Sequence, residues 1–364
     1  MSTVQGMSKG EHQYGKFAEP QKHVSDTLYR DFTSKALDEF LLSSQSKSTV
    51  RLADFGASDC MTTSDIYAQL VKKGLNSGRK VEFYIVDLPG NDWDTAEQQC
   101  ALSGIPVQHM EQEEENEGSK FVLVPQSFYS QCLPRNSINI SFTSTATHWL
   151  SSVSALRGSI YANSHAKRIN VSDLETWKKI SYIDGVNFLV SRANELEAGG
   201  TLLMANVNRE KAGLITVFEI MNEVLAKWAK EGKLLRGEVD EMVIPVYNKN
   251  VDEWKACFDD ERVKLTGLKL QRIEQGLATE NQYFQNYSDK ITADQDASRD
   301  TSATAEFMKF FLAFAEGILL KVLKTDEKLS EFIGEVGNTL VARPDLCEEC
   351  KTVWYSDLYV AVKE

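Results

Sequence analysis

No stretch of this 364-residue chain approaches the roughly 20 consecutive apolar residues that a membrane-spanning helix needs, and that lack excludes a span. The first residues, with Lys9, Glu11, His12 and Lys16, carry no apolar core of a secretory signal, which predicts a cytoplasmic protein. Cysteine is sparse: 6 residues in 40.9 kDa predict buried thiols rather than a disulfide framework. Cys347-Glu348-Glu349-Cys350 is a solitary C-x-x-C with no second pair or histidine cluster near it, so no zinc site is expected. Positive charge is short as well. Lys and Arg number 40 against 53 Asp and Glu, a net charge of −13, which excludes nucleic acid as a partner. The acidic residues 111–117 read as a solvated surface excursion. A full G-x-G-x-x-G is missing too, and that disfavours a loop cradling a dinucleotide pyrophosphate.

What the chain does have is a pair of short apolar runs that end in loops. Leu52-Ala53-Asp54-Phe55-Gly56-Ala57-Ser58 ends in a small glycine-bearing turn, and Val81-Glu82-Phe83-Tyr84-Ile85-Val86-Asp87-Leu88 ends in an acid. A glycine lets backbone come close to a ligand, and a later acid can bind ribose hydroxyls. A D-x-G-x-S loop with such an acid fits S-adenosylmethionine, which has a ribose but no phosphate. Taken alone, the pattern fits two ordinary buried strands as well.

Further strings stand in order around it: Tyr14-Gly15-Lys16-Phe17-Ala18-Glu19-Pro20-Gln21, Asp87-Leu88-Pro89-Gly90-Asn91-Asp92, Ser127-Phe128-Tyr129 and Thr147-His148-Trp149-Leu150-Ser151. The set resembles the SABATH family of S-adenosylmethionine-dependent methyltransferases, over nearly the whole chain. That resemblance implies a methyl ester formed on a small-molecule carboxylic acid, with S-adenosylhomocysteine as the other product. It implies Gln21 and Trp149 as donors gripping the acid, with His148 beside them. Tyr14, Asp54, Gly56, Ala57, Thr62, Asp87, Leu88, Ser127, Phe128 and Ser144 would hold the cofactor. Thr145, Val217, Phe218, Tyr247, Phe311 and Phe314 would line the substrate pocket, although each is as easily plain core.

The chain also departs from the family. Phe17-Ala18 stands for N-S, so a serine that usually reaches the cofactor is missing; Asp59-Cys60-Met61-Thr62 stands for S-G-x-N; and Thr145 or Ala146 replaces a wall aromatic. Arg157 or Leu156 occupies the place of an asparagine before Gly158, so no metal is expected, and Arg157 raises the idea of a dicarboxylate. Methylation of a heterocycle nitrogen, or a non-catalytic binding protein of the same fold, are the alternative readings.

The chemistry is consistent with the lack of a nucleophile, triad or metal cluster. A carboxylate is ionised at neutral pH and the donor is already activated, so the protein need only align the reactants and exclude water.

Alternating strand and helix patterns predict an α/β fold, a doubly wound Rossmann-like sheet with an inserted helical cap. Residues 1–206, 259–290 and 351–364 would form the cofactor-binding core, and 207–258 and 291–350 the cap. The spacing predicts helices over 24–42, 63–73, 94–102 and 173–197, the last ended by Gly199-Gly200. Helices at 213–232, 251–258 and 305–323 would build the cap. Strands are expected at 50–55, 81–86, 121–124, 137–142, 201–205, 265–273 and 353–362, and a mobile connection at 289–303. The resemblance and the apolar surface of the 173–197 helix predict a homodimer.

Overall fold

The computed structural model describes residues 14–43, 47–110, 118–162, 169–208, 215–280, 301–342 and 353–364. The run 111–117, the Cys347/Cys350 pair and residues 289–300 of the expected mobile connection lie outside them; its last residues, from Thr301, begin a helix. Eight strands form one sheet: β1 Thr49–Phe55, β2 Lys80–Asp87, β3 Val107–His109, β4 Lys120–Pro125, β5 Ile138–Ser144, β6 Leu196–Val207, β7 Leu268–Glu280 and β8 Val353–Lys363. Their order is β3-β4-β2-β1-β5-β6-β8-β7. β1 to β6 pair in parallel, whereas β8 lies antiparallel between β6 and β7.

Both faces of the sheet are covered, which is why its strands read as continuous apolar runs. Val50 and Leu52 of β1 face one core with α3 Arg30–Ser43, α4 Ser64–Asn76 and α5 Trp93–Ala101, while Ala53 and Phe55 face the other with α6 Val171–Glu195. Ahead of α3, α1 Tyr14–Phe17 and α2 Glu19–Val24 lead into a π-helical stretch, Ser25–Tyr29, so the expected 24–42 helix is not uniformly α.

Two expectations are corrected. Gly199-Gly200 does not end α6. The helix stops at Glu195 and Leu196 is already extended, so both glycines lie inside β6. There Gly200 serves close approach: an added Cβ would stand 2.9 Å from the Glu197 carbonyl and 3.1 Å from that of Ile138.

The other correction concerns residues 251–258. After α7 Ile215–Lys230 and α8 Arg236–Glu241 comes α9 Val251–Phe258, which was expected in the cap. It packs on α6 instead, with Trp254, Cys257 and Phe258 in the sheet-side core, because their i, i+3, i+4 spacing forms one apolar stripe. The cap-side core is built by α7 with α11 Thr301–Leu323 and α12 Asp326–Ala342, which follow α10 Glu261–Lys264; Ile160, Tyr161 and Ile244 join it.

Candidate active site

The loops at the carboxyl ends of β1, β2, β4 and β5 gather in one place, as ligand sites of parallel sheets do. Asp87 ends β2 and is half-buried. Its carboxylate accepts the Ser58 N–H at 2.7 Å and the Leu88 N–H at 2.7 Å. The Asn91 amide donates to the Ser58 carbonyl at 2.6 Å, and Asp92 caps α5 by accepting from the Thr95 N–H and hydroxyl. Thus the D-L-P-x-N-D string is a brace that shapes the first loop as well as presenting an acid. Burial pushes the Asp87 carboxyl up to about 6 against the pull of its two amide bonds. Lone pairs are left for a ribose diol. Asp54 sits deeper: it is buried, accepts the Tyr67 hydroxyl at 2.6 Å, and is pushed up to about 7 chiefly by that burial.

Gly56 adopts φ +83° and donates to the Val86 carbonyl at 2.8 Å. An added Cβ would overlap the Ala146 methyl and meet the Phe128 ring at 3.3 Å, so this glycine joins the loops of β1, β4 and β5. Ala57 beside it is buried. Ser58 at φ 52°, Cys60 at φ 63° and Thr145 at φ 50° are left-handed without being glycine, a concentration of strain typical of ligand-holding loops.

Ser127 and Phe128 stand on the loop after β4, and that loop is held from below. Arg192, fully buried on α6, donates to the carbonyls of Phe128 at 2.7 Å and Ser130 at 3.1 Å. Its partner Glu195, also fully buried, accepts the N–H groups of Cys132 and Leu133. Tyr129 then reaches across, its hydroxyl donating to the carbonyls of Thr147 and Trp149.

Trp149 is fixed through its backbone. Its segment bridges Val246, Leu150 donates to the Pro245 carbonyl at 2.8 Å, and Tyr247 donates to the His148 carbonyl at 2.8 Å. The half-buried indole packs against the cap-side core that holds Val217, Phe218 and Phe311. Phe218 stacks on Tyr161 at 4.5 Å and meets Phe311 edge-on at 5.8 Å. His148 lies 5.7 Å from the indole, ring to ring; burial first and then the Lys249 charge push it down to about 3, so it is neutral at physiological pH.

Other expected residues sit differently. Tyr247 is not brought to this group: it is buried among Leu150, Leu156 and Trp177, with its hydroxyl on Glu253 at 2.6 Å. Arg157 is engaged elsewhere: its backbone N–H, Nε and Nη2 donate to Asp173, which turns the guanidinium toward that carboxylate. Thr62 is half-buried in the turn before α4, and the N-cap there is Thr63, whose hydroxyl makes no cap bond. The side chains of Tyr14 and Phe314 lie outside the described residues.

Several polar atoms at this end of the sheet are buried without a partner: Gln21 Oε1 on α2, Ser58 Oγ, Ser144 Oγ and His148 Nδ1. Buried polar atoms are rarely left so, and the set suits a ligand with hydroxyl, amino and carboxylate groups such as S-adenosylmethionine. Among the described residues no three His, Cys, Asp or Glu side chains group as metal ligands. Sequence reasoning missed Asp59, Asn91, Arg192 and Glu195. Asn91 was visible inside its motif, whereas an Arg and a Glu three residues apart on a helix look like any surface pair.

Removal of the Asp87 side chain is expected to weaken S-adenosylhomocysteine binding about tenfold or more, since hydrogen bonds to a charged group contribute ~1.5–3 kcal/mol each. In the native protein affinity should fall as pH drops through about 6, where this carboxyl takes up its proton. Calorimetry from pH 5 to 8 checks both; a folded Asp87→Ala protein with unchanged affinity would remove Asp87 from the ribose.

Comparison with known proteins gives the family. Residues 2–354 match the family model described as SAM dependent carboxyl methyltransferase. An S-adenosyl-L-methionine:benzoic acid/salicylic acid carboxyl methyltransferase of Petunia hybrida is 29% identical over 251 residues, 64% of this chain and 69% of its own. The jasmonate O-methyltransferase of Arabidopsis thaliana is 25% identical over 370 residues, 90% of this chain and 92% of its own. A solved loganic acid methyltransferase with SAH superposes with a TM-score of 0.74 at 18% identity, covering 98% of both chains, and shares the Rossmann-like fold. With its fold, its braced cofactor loops and a family match over almost its entire length, this chain belongs to the S-adenosylmethionine-dependent carboxyl methyltransferases, which form methyl esters of small carboxylic acids.

Proposed function

We propose that the substrate is a monocarboxylic acid with a bulky apolar body, held by Gln21 and Trp149 and methylated on the carboxylate oxygen. The observation that carries this reading is the position of Trp149: its backbone is locked by Tyr129 and Val246, and its ring faces the cap-side apolar cluster. The cofactor, when bound, supplies an activated methyl group. Asp87 would hold its ribose, and Ser127 and Phe128 its adenine. The indole N–H and the Gln21 amide are neutral donors that orient one oxygen without forming a tight ion pair. Val217, Phe218 and Phe311 form the buried backing of the apolar side, and Thr145, in place of an aromatic, leaves room there.

The tie of Arg157 to Asp173 disfavours a dicarboxylate. Methylation of a heterocycle N–H would call for a base, and a His148 whose proton leaves at about 3 is a poor one. Turnover of benzoate, salicylate, jasmonate and succinate with labelled cofactor tests the class. Succinate as the best substrate would overturn it.

Trp149→Phe keeps the bulk and removes one donor, so kcat/KM for the best acid should fall by about 1.5–3 kcal/mol of transition-state stabilisation. Gln21→Ala should act similarly, and the double variant less than additively, because both hold one group. Cofactor affinity should barely move. Full activity in the double variant would end the clamp reading.

We further propose a cytoplasmic homodimer. Val171 and Ile183 of α6 are exposed apolar residues that a partner could cover. A monomeric mass by light scattering at micromolar concentration would overturn it.

A further inference from the structure

Asp59 lies on the cofactor loop, is only 3% exposed and faces the N-terminal segment. One carboxylate oxygen accepts the Gly15 N–H at 2.9 Å, from a residue 44 positions away; the other accepts the Met61 N–H at 3.1 Å within the loop. Gly15 belongs to α1, whose first N–H groups have no partner of their own in so short a helix. It is a glycine for room rather than for backbone freedom. Its φ is not left-handed, and an added Cβ would stand 2.5 Å from both Asp59 Oδ1 and Met61 Cβ. The residues on either side of Asp59, Ser58 and Cys60, both hold left-handed backbone, a strained way to present one carboxylate. Position 18 offers no hydroxyl for such a tie, because a fully buried alanine stands there.

We propose that Asp59 is a positioning residue that latches the N-terminal segment over the cofactor loop, a tie that Ala18 has no polar atom on its side chain to supply. With the latch closed, α1 packs on α11 of the cap and α2 sets Gln21 one turn further along. The loop that holds the cofactor then also fixes the residue that faces the acid, so cofactor should bind first and strengthen acid binding. The effect on the acid rests on the Gln21 clamp reading; the effect on the cofactor does not.

The test uses the full chain with S-adenosylhomocysteine. Calorimetry reads affinity, and trypsin cleavage at the exposed Lys16, followed by mass spectrometry, reads closure of the segment. Asp59→Ala should weaken S-adenosylhomocysteine and speed Lys16 cleavage in its presence, each by ~10-fold, as loss of a charge-assisted bond implies. Gly15→Ala should do the same although alanine is the better helix former, because its methyl group would push the segment off Asp59 and Met61 while the Asp59 carboxylate itself is kept. Asp59→Asn keeps a carbonyl acceptor and should fall between. Thermal unfolding of all three should stay near that of the native protein.

Native affinity and a native cleavage rate in Gly15→Ala would overturn the proposal. So would weakened cofactor binding in Asp59→Ala without faster cleavage, which would confine Asp59 to shaping its own loop. Neither readout involves an acid, so failure here is separable from failure of the clamp.

Discussion

Arg192→Met should destabilise the protein by about 3–5 kcal/mol, because it leaves Glu195 as an uncompensated charge at a site with no solvent access. The loss extends beyond the ion pair. The guanidinium also satisfies two carbonyls of the loop bearing Ser127 and Phe128, and its central carbon lies 3.7 Å from the centre of the Phe55 ring at the end of β1. Arg192→Lys keeps the charge but not the planar fork. It should lose less stability yet still weaken S-adenosylhomocysteine, since one ammonium cannot reach both carbonyls and both Glu195 oxygens. Equilibrium denaturation and calorimetry on the two variants check this. A lysine variant with native affinity would mean that the loop holds its shape unaided.

Gly56→Ala should be nearly as damaging, at about 2–5 kcal/mol, with cofactor affinity lost as well. A left-handed backbone penalises a side chain by ~1–2 kcal/mol, and forcing a methyl into a filled core adds ~1–3. The added carbon would overlap the methyl of Ala146, which is itself buried. Gly56→Ala/Ala146→Gly should therefore recover the packing part and leave only the backbone part. If the double variant is no more stable than the single one, the contact between the two loops is not what demands glycine.

Much of this arrangement was legible because the physical cause of each element is local. β1 and β2 announce themselves as apolar runs since both faces are covered, and the acid at the end of β2 stands where the strand stops. Gly56, Asp87, Phe128 and Trp149 could be placed because their strings occur in order. The end of α6 was not legible, because Gly199-Gly200 resembles a helix stop while serving a close approach between strands. Tyr247 was misplaced because its backbone is bonded to the His148 carbonyl while its ring turns to a separate core. Arg192, Glu195 and Asp59 escaped for a shared reason. Their worth lies in partners 44 to 64 residues distant, and no periodicity or spacing reports such pairing.

The place of β8 bears on how the chain is made. β7 sits at the sheet's edge and is bonded to β8 alone, while β8 is also what covers the flank of β6. A ribosome that has released Glu280 has therefore made a strand with nowhere to go. Until the chain through Val353 and beyond emerges, β7 waits unpaired and β6 presents an open row of N–H and C=O groups. Such long-range closure is slow, and an open edge in the meantime invites pairing with another nascent copy. A translation stall between these two strands would strand an aggregation-prone intermediate whose parallel half is already folded.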